Sequence, residues 1–193
     1  MAKVRTFIAI EIPKKVQSKA FSVIDKLSKE TSSIRWVSRE NLHVTLKFLG
    51  DVEDRDTYAV CQAVTEVTRQ NRRFTVDCNG IGAFPSVEKP RTIWLGIDEP
   101  ENRLSNMYAE MEDSLQKLGY PQEARQFRPH LTIGRIQHGR RNMGNLTTQM
   151  QNLSTTAIGE IPVNELVIFS SELTRSGPIY TTLGRATLKS ARR

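Results

Sequence analysis

A histidine followed two residues later by a threonine, His43-Val44-Thr45, recurs 87 residues further on as His130-Leu131-Thr132. The spacing between the copies constrains the whole chain. Pro13 stands 30 residues before His43, and Pro100 stands 30 residues before His130. Adding 87 to each position from Phe7 to Leu49 gives an ungapped alignment that pairs Phe7 with Trp94, Phe21 with Tyr108, Ile24 with Met111 and Leu46 with Ile133. Identities fall at Ile10/Ile97, Pro13/Pro100, Ser18/Ser105, His43/His130 and Thr45/Thr132. A kept apolar register with identities in the motif itself is what a repeated supersecondary unit leaves in a sequence.

Within each unit the apolar pattern predicts strand, helix, strand. Thr6–Ile12 alternates as a strand, and Pro13 opens a helix whose Val16, Ala20, Phe21, Ile24 and Leu27 form one stripe. His43–Gly50 is the motif strand, followed by a helix over 54–70 and a strand over Phe74–Phe84. The second unit repeats this with a strand over Thr92–Pro100, a stripe of Leu104, Met107, Tyr108, Met111, Leu115 and Leu118, and a strand over His130–Ile136. A helix near Arg141–Leu153 and two strands joined through Ser176, Gly177 and Pro178 close the chain. The expected fold class is α/β (α+β): a bilobal pseudo-twofold domain whose two antiparallel-rich sheets face a central cleft, helices outside. Residues 1–188 form this single domain, with the repeat at about 7–49 and 94–136, and 189–193 form a frayed basic tail.

Among 193 residues no apolar run approaches the roughly 20 needed to span a bilayer, and the four-residue apolar run before Glu11 is too short for a signal-peptide core. A cytoplasmic protein without a membrane partner is expected. Cys61 and Cys78 show no C-x-x-C spacing and read as reduced core fillers. The net charge of +7 and pI near 9.6 favour an anionic partner such as nucleic acid.

On a strand, alternation puts His43 and Thr45 on one face with Lys47 continuing the row, and likewise His130 and Thr132 with Gly134. If a pseudo-twofold axis relates the lobes, two imidazoles and two hydroxyls surround one small volume. Such a quartet suits phosphodiester chemistry. One neutral imidazole takes a proton from water while the other, protonated, delivers one to the departing oxygen. The threonine hydroxyls hydrogen-bond the phosphate oxygens, and Lys47, Arg128 or Arg135 could neutralise their charge. Strict alternation sets Arg135 opposite His130 unless a bulge near Gly134 re-aims it. No third ligand accompanies the histidines, so no metal is expected. His138, in the basic loop "RIQHGRRN", reads as a surface residue.

Beyond the motifs, "FIAIEIP", "RWVSRENLHVTLKFLGDV", "FRPHLTIGRI" and "ELVIFSSELTRSGPIYTTL" resemble the two-histidine phosphoesterases, specifically the RNA 2',3'-cyclic phosphodiesterase (2'-5' RNA ligase) branch. The resemblance implies opening of an RNA terminal 2',3'-cyclic phosphate to a 2'-phosphomonoester, with no cofactor, and an ATP-independent 2'-5' ligation in reverse. It makes His43 the proton donor to the leaving 3'-oxygen, His130 the base that activates water, and Thr45 and Thr132 the phosphate holders. The implied partner is RNA with a cyclic phosphate end, tRNA fragments included, acted on by a monomer. A phosphodiesterase for small cyclic nucleotides and a non-catalytic RNA-end binder are the competing readings.

Overall fold

The structure is a computed structural model that describes residues 2–99, 101–136, 145–175 and 177–190. Its strands are β1 (Lys3–Glu11), β2 (Ile34–Trp36), β3 (His43–Glu53), β4 (Phe74–Pro85), β5 (Pro90–Asp98), β6 (His130–Ile136), β7 (Ala157–Val163), β8 (Glu165–Thr174) and β9 (Gly177–Thr187). Its α-helices are α1 (Lys14–Ser28), α2 (Thr57–Gln70), α3 (Arg103–Gln116) and α4 (Leu146–Asn152). The strands run in the order β7-β4-β5-β6-β3-β1-β8-β9, with β2 added to β6. All the named pairings are antiparallel.

The expected two sheets are the two halves of this path. They join at the centre through a single pair of motif-strand residues, Val44 and Leu131, so hydrogen bonding runs through one continuous sheet. Those two residues are 87 apart in sequence, and equivalent residues pair with each other only on a twofold axis. The pseudo-twofold therefore passes through that pair. Helices cover one face: α1 packs on β7 and β6, α2 on β8 and β9, and α3 on α2. Each unit's first helix thus lies over the sheet half that carries the other unit's motif strand.

The buried face of each strand and the stripe of each helix meet in one large core that includes Ile8, Ile10, Val44, Leu95, Leu131 and Ile133. On the other face of the sheet, Phe7, Ala9, Val167 and Phe169 form a small second cluster with Tyr180 against it. This cluster is the floor of the cleft beside His43.

The shift of 87 is not uniform along the units. His43 lies opposite Glu11, and His130 opposite Gly96, so β1 and β5 correspond at a shift of 85 and the counterpart of Trp94 is Ala9 rather than Phe7. In the helices the buried Val16, Ala20, Val23, Ile24 and Leu27 correspond to Leu104, Tyr108, Met111, Glu112 and Leu115 at a shift of 88. A longer strand-to-helix turn in the second unit, offset partly before β6, explains both.

Leu118 lies past the end of α3 and is exposed. Lys189 is not frayed, because its backbone bonds Asn71 and Arg73 at 2.9 Å each. His138 and residues 191–193 lie outside the described residues.

Candidate active site

Val44 and Leu131 point into the core, 1% and 0% exposed. Alternation from them turns His43, Thr45, His130 and Thr132 to the opposite face. One step along the antiparallel ladder in either direction sets His43 beside Thr132 and Thr45 beside His130. The predicted quartet is assembled by backbone pairing alone.

Both imidazoles are anchored in the same way. His43 Nδ1 lies 2.8 Å from the Asn41 carbonyl oxygen, and His130 Nδ1 lies 2.7 Å from that of Arg128. A carbonyl can only accept, so each Nδ1 carries the hydrogen and each Nε2 remains to take or give a proton. Rings flank both. Phe7 and Tyr180 stand 4.9 and 5.4 Å from the His43 centroid, while Phe84 and Trp94 stand 5.0 and 6.3 Å from that of His130. Burial among these rings pulls His43 down to about 4, against a partial upward pull from the Asn41 bond and a further lowering by the Arg135 charge. His130 is lowered by burial and Arg135, and raised in part by its Arg128 bond. Both rings are therefore neutral at pH 7.

A cavity of about 670 Å³ opens here, walled by His43, Thr45 and Thr132 together with Phe48, Arg135 and Tyr180 among others. His130 is not in that wall; it adjoins it through Thr132, its neighbour on the same strand face.

The row predicted from strict alternation breaks after the threonines. On β3, Thr45 lies opposite Ala9 and Lys47 opposite Ile8, so Leu46 is a bulge. On β6, Thr132 lies opposite Trp94 and Gly134 opposite Ile93, so Ile133 is the same bulge at the same place. An extra residue reverses which face the following residues present. Lys47 is consequently no substrate contact. It is 2% exposed, turned from the cleft, and its Nζ pairs with Glu112 on α3 and donates to the Pro121 carbonyl at 2.9 Å. The bulge hands the cleft Phe48 in one lobe and Arg135 in the other, which restores Arg135 to the site. Arg135 Nη1 lies 3.3 Å from Thr92 Oγ1. The side chain of Arg128 is exposed and not part of the cavity wall; that residue serves through its carbonyl.

Comparison with known proteins meets this geometry directly. The model of the LigT-like phosphoesterases matches twice, over residues 10–94 and 95–180, each match taking in one H-x-T motif. The chain belongs to the LigT-like phosphoesterase family. RNA 2',3'-cyclic phosphodiesterases of Aquifex aeolicus and Thermotoga maritima are similar to this LigT-like protein at 33% identity over 188 residues and 35% over 179. The matches cover 95% and 93% of this chain and 96% and 92% of those relatives. Among solved structures, a Thermus thermophilus protein superposes with a TM-score of 0.79 at 21% identity, covering 97% of this chain and 100% of that one. Escherichia coli LigT complexed with 3'-AMP superposes at 0.74 with 24% identity, covering 96% and 98%. These two likenesses show the fold.

What distinguishes this LigT-like cleft from its symmetric ideal is chemical. Phe84 faces Thr92 across β4 and β5 as Phe169 faces Phe7 across β8 and β1, so Thr92 and Phe7 are counterparts. Arg135 on Thr92 in one lobe thus corresponds to Phe48 against Phe7, ring centroids 5.7 Å apart, in the other. One side is built for charge and the other for a planar ring. Sequence reasoning overlooked Phe48, Tyr180 and Asn41; the shared spacing of Phe48 and Arg135 from their histidines was the available signal. No group of three or more His, Cys, Asp or Glu able to hold a metal occurs among the described residues, and no helix there is long and apolar enough to cross a membrane.

Proposed function

We propose that this protein hydrolyses the 2',3'-cyclic phosphate at an RNA end to a 2'-phosphomonoester, using His43 and His130 as acid and base with no metal in the step. The observation that carries the reading is the matched anchoring of the two imidazoles, Nδ1–H to a carbonyl two residues earlier, beside two threonines across one pseudo-twofold. The curated relatives' names and the nucleotide held by Escherichia coli LigT support the substrate class. The basic charge of the chain supports an RNA partner, taken up in the cytoplasm by a single bilobal domain built on a doubled unit.

In the step, a water oxygen attacks phosphorus and gives its proton to His130 Nε2. The P–O3' bond breaks in line, and His43 Nε2–H delivers a proton to O3'. Thr45 and Thr132 hold the non-bridging oxygens, and Arg135 sets a fixed positive charge beside them. A ring pulled down to about 4 carries almost no proton to give at neutral pH. The cyclic phosphate brings the counter-charge that raises it, so substrate binding itself charges the acid. Phe48, backed by the buried Phe7, offers the terminal base a ring to stack on. With a 5'-hydroxyl RNA end in place of water, the same step forms a P–O5' bond as P–O3' breaks and joins the ends through a 2'-5' linkage.

The test is incubation of RNA ending in a 2',3'-cyclic phosphate with EDTA and wild type, His43→Ala or His130→Ala protein, followed by phosphate-ester analysis. Wild type should yield the 2'-phosphate, and each alanine variant should lose at least about a hundredfold in rate. Binding without conversion by folded wild type would leave an RNA-end binder in place of an enzyme.

A further inference from the structure

Three arginines on three strands wall the cleft: Arg5 on β1, Arg35 on β2 and Arg135 on β6. Arg35 and Arg135 are direct partners across the β2–β6 ladder. Like charges placed opposite one another on a sheet repel. Neither they nor Arg5 form an ion pair with a carboxylate among the described residues. Elsewhere on the sheet the protein does neutralise such a charge: Arg185 is bridged by both Glu11 and Glu165. The reaction centre uses one guanidinium, that of Arg135 beside the threonines. The charge next to it is left over.

The same cavity is also lined by large apolar groups. Leu173 and Ile179, on the two strands of the β8–β9 hairpin, are 68% and 54% exposed and line the same cavity. Arg35 lies against this hairpin, its Nη2 3.3 Å from where a side chain would begin at Gly177. Phe48, 54% exposed, faces the same space. From β2 and β6 through β3 and β1 to the hairpin, the guanidinium groups of Arg35, Arg135 and Arg5 alternate with the apolar groups of Phe48, Leu173 and Ile179 around one cavity, which suits the phosphates and bases of a single nucleic-acid strand.

We propose that the cleft holds two nucleotides, with Arg35 binding the phosphodiester that joins the terminal nucleoside to the one before it and Leu173 and Ile179 receiving the penultimate base. The inference rests on the cyclic phosphodiesterase reading. Arg135 and Arg35 are cross-strand neighbours, but Arg135 reaches Thr92 on β5 while Arg35 reaches Gly177 on the hairpin, so the two guanidinium groups address successive phosphates of one strand. Arg5 extends the same charge along β1. The enzyme then selects chain ends over free cyclic nucleotides, and Arg35 is the residue that decides.

The experiment measures kcat/KM on a dinucleotide ending in a 2',3'-cyclic phosphate and on the cognate nucleoside 2',3'-cyclic phosphate, for wild type and Arg35→Gln. A third substrate is the dinucleotide with a neutral methylphosphonate at the internucleotide position. Wild type should prefer the charged dinucleotide over the mononucleotide by about tenfold or more, as one charge-assisted contact supplies. The methylphosphonate should erase most of that preference, and Arg35→Gln should erase it too while becoming insensitive to the methylphosphonate. Equal rates on mononucleotide and dinucleotide, or a preference that Arg35→Gln leaves intact, would overturn the second subsite while leaving the phosphodiesterase standing. Failure of wild type to open any of the three would instead overturn the phosphodiesterase reading beneath it.

Discussion

His43, proposed as the acid, also carries a titration. Its folded-state value near 4 lies below the ordinary 6.5, so an unfolded chain takes up a proton between those values that the folded chain refuses. Stability from this group is complete above pH 6.5 and is lost as pH falls toward 4. The amount is on the order of 3 kcal/mol, and His130, also lowered, adds to the same decline. His43→Phe fits among Phe7, Phe169 and Tyr180 and cannot be protonated. Melting temperature measured from pH 7 to pH 4 should therefore fall less steeply in His43→Phe than in wild type. Parallel slopes would show that the ring is protonated freely in the fold. The histidines and threonines were legible from residue type and spacing, because strand alternation between them is unbroken. The Asn41 and Arg128 carbonyls were not, since any residue at those positions offers one.

At the scale of elements, the buried Lys47–Glu112 pair does the work that a strand does in the other lobe. β2 runs beside β6, where Gly134 leaves room for Trp36; a Cβ at Gly134 would come within 2.8 Å of that ring. The segment corresponding to β2 is 121–123, and it forms no strand. Lys47 instead donates to the Pro121 carbonyl, and Glu112 accepts from the Glu123 amide at 2.7 Å, so side chains replace the missing ladder. Lys47→Met strands a buried carboxylate and should cost about 3–5 kcal/mol in urea unfolding. Lys47→Met with Glu112→Leu should recover much of that loss; a double variant no better than the single would mean the pair is not coupled. The helices were predicted well because their apolar stripes are long. β2 was missed because three residues carry no periodicity, and β7 because Gly159 and Pro162 read as breakers, although Pro is accommodated in this edge strand. The Lys47 error has one cause: a bulge leaves the sequence pattern of a strand unchanged while reversing its faces.

Over the whole molecule, the pseudo-twofold makes the two histidines near-equivalent by backbone, and the sequence alone could not tell acid from base. The difference lies in the surroundings: Arg135 and Thr92 mark one side, Phe48 and Phe7 the other. A phosphodiester with a 4-nitrophenolate leaving group needs no proton at departure, so it separates the roles. His43→Ala should regain most of its lost rate on that substrate, whereas His130→Ala should remain at least about a hundredfold impaired. The reverse pattern would exchange the two assignments. Net charge and duplication were legible in the sequence. The division of the cleft into a charged and an apolar side was not, because it depends on which strands the fold sets next to one another.

The paired bulges at Leu46 and Ile133 also govern how such a protein can change over time. Substitution after the motif alters what a strand offers the substrate while leaving intact which side offers it. Loss of one residue does the opposite: shortening β3 at Leu46 would bring an ammonium group to the reaction and push a phenylalanine toward the helices, with every remaining letter unchanged. Here residue count carries information that residue identity does not, and the two motif strands are free to diverge in spelling only as long as they keep the same count.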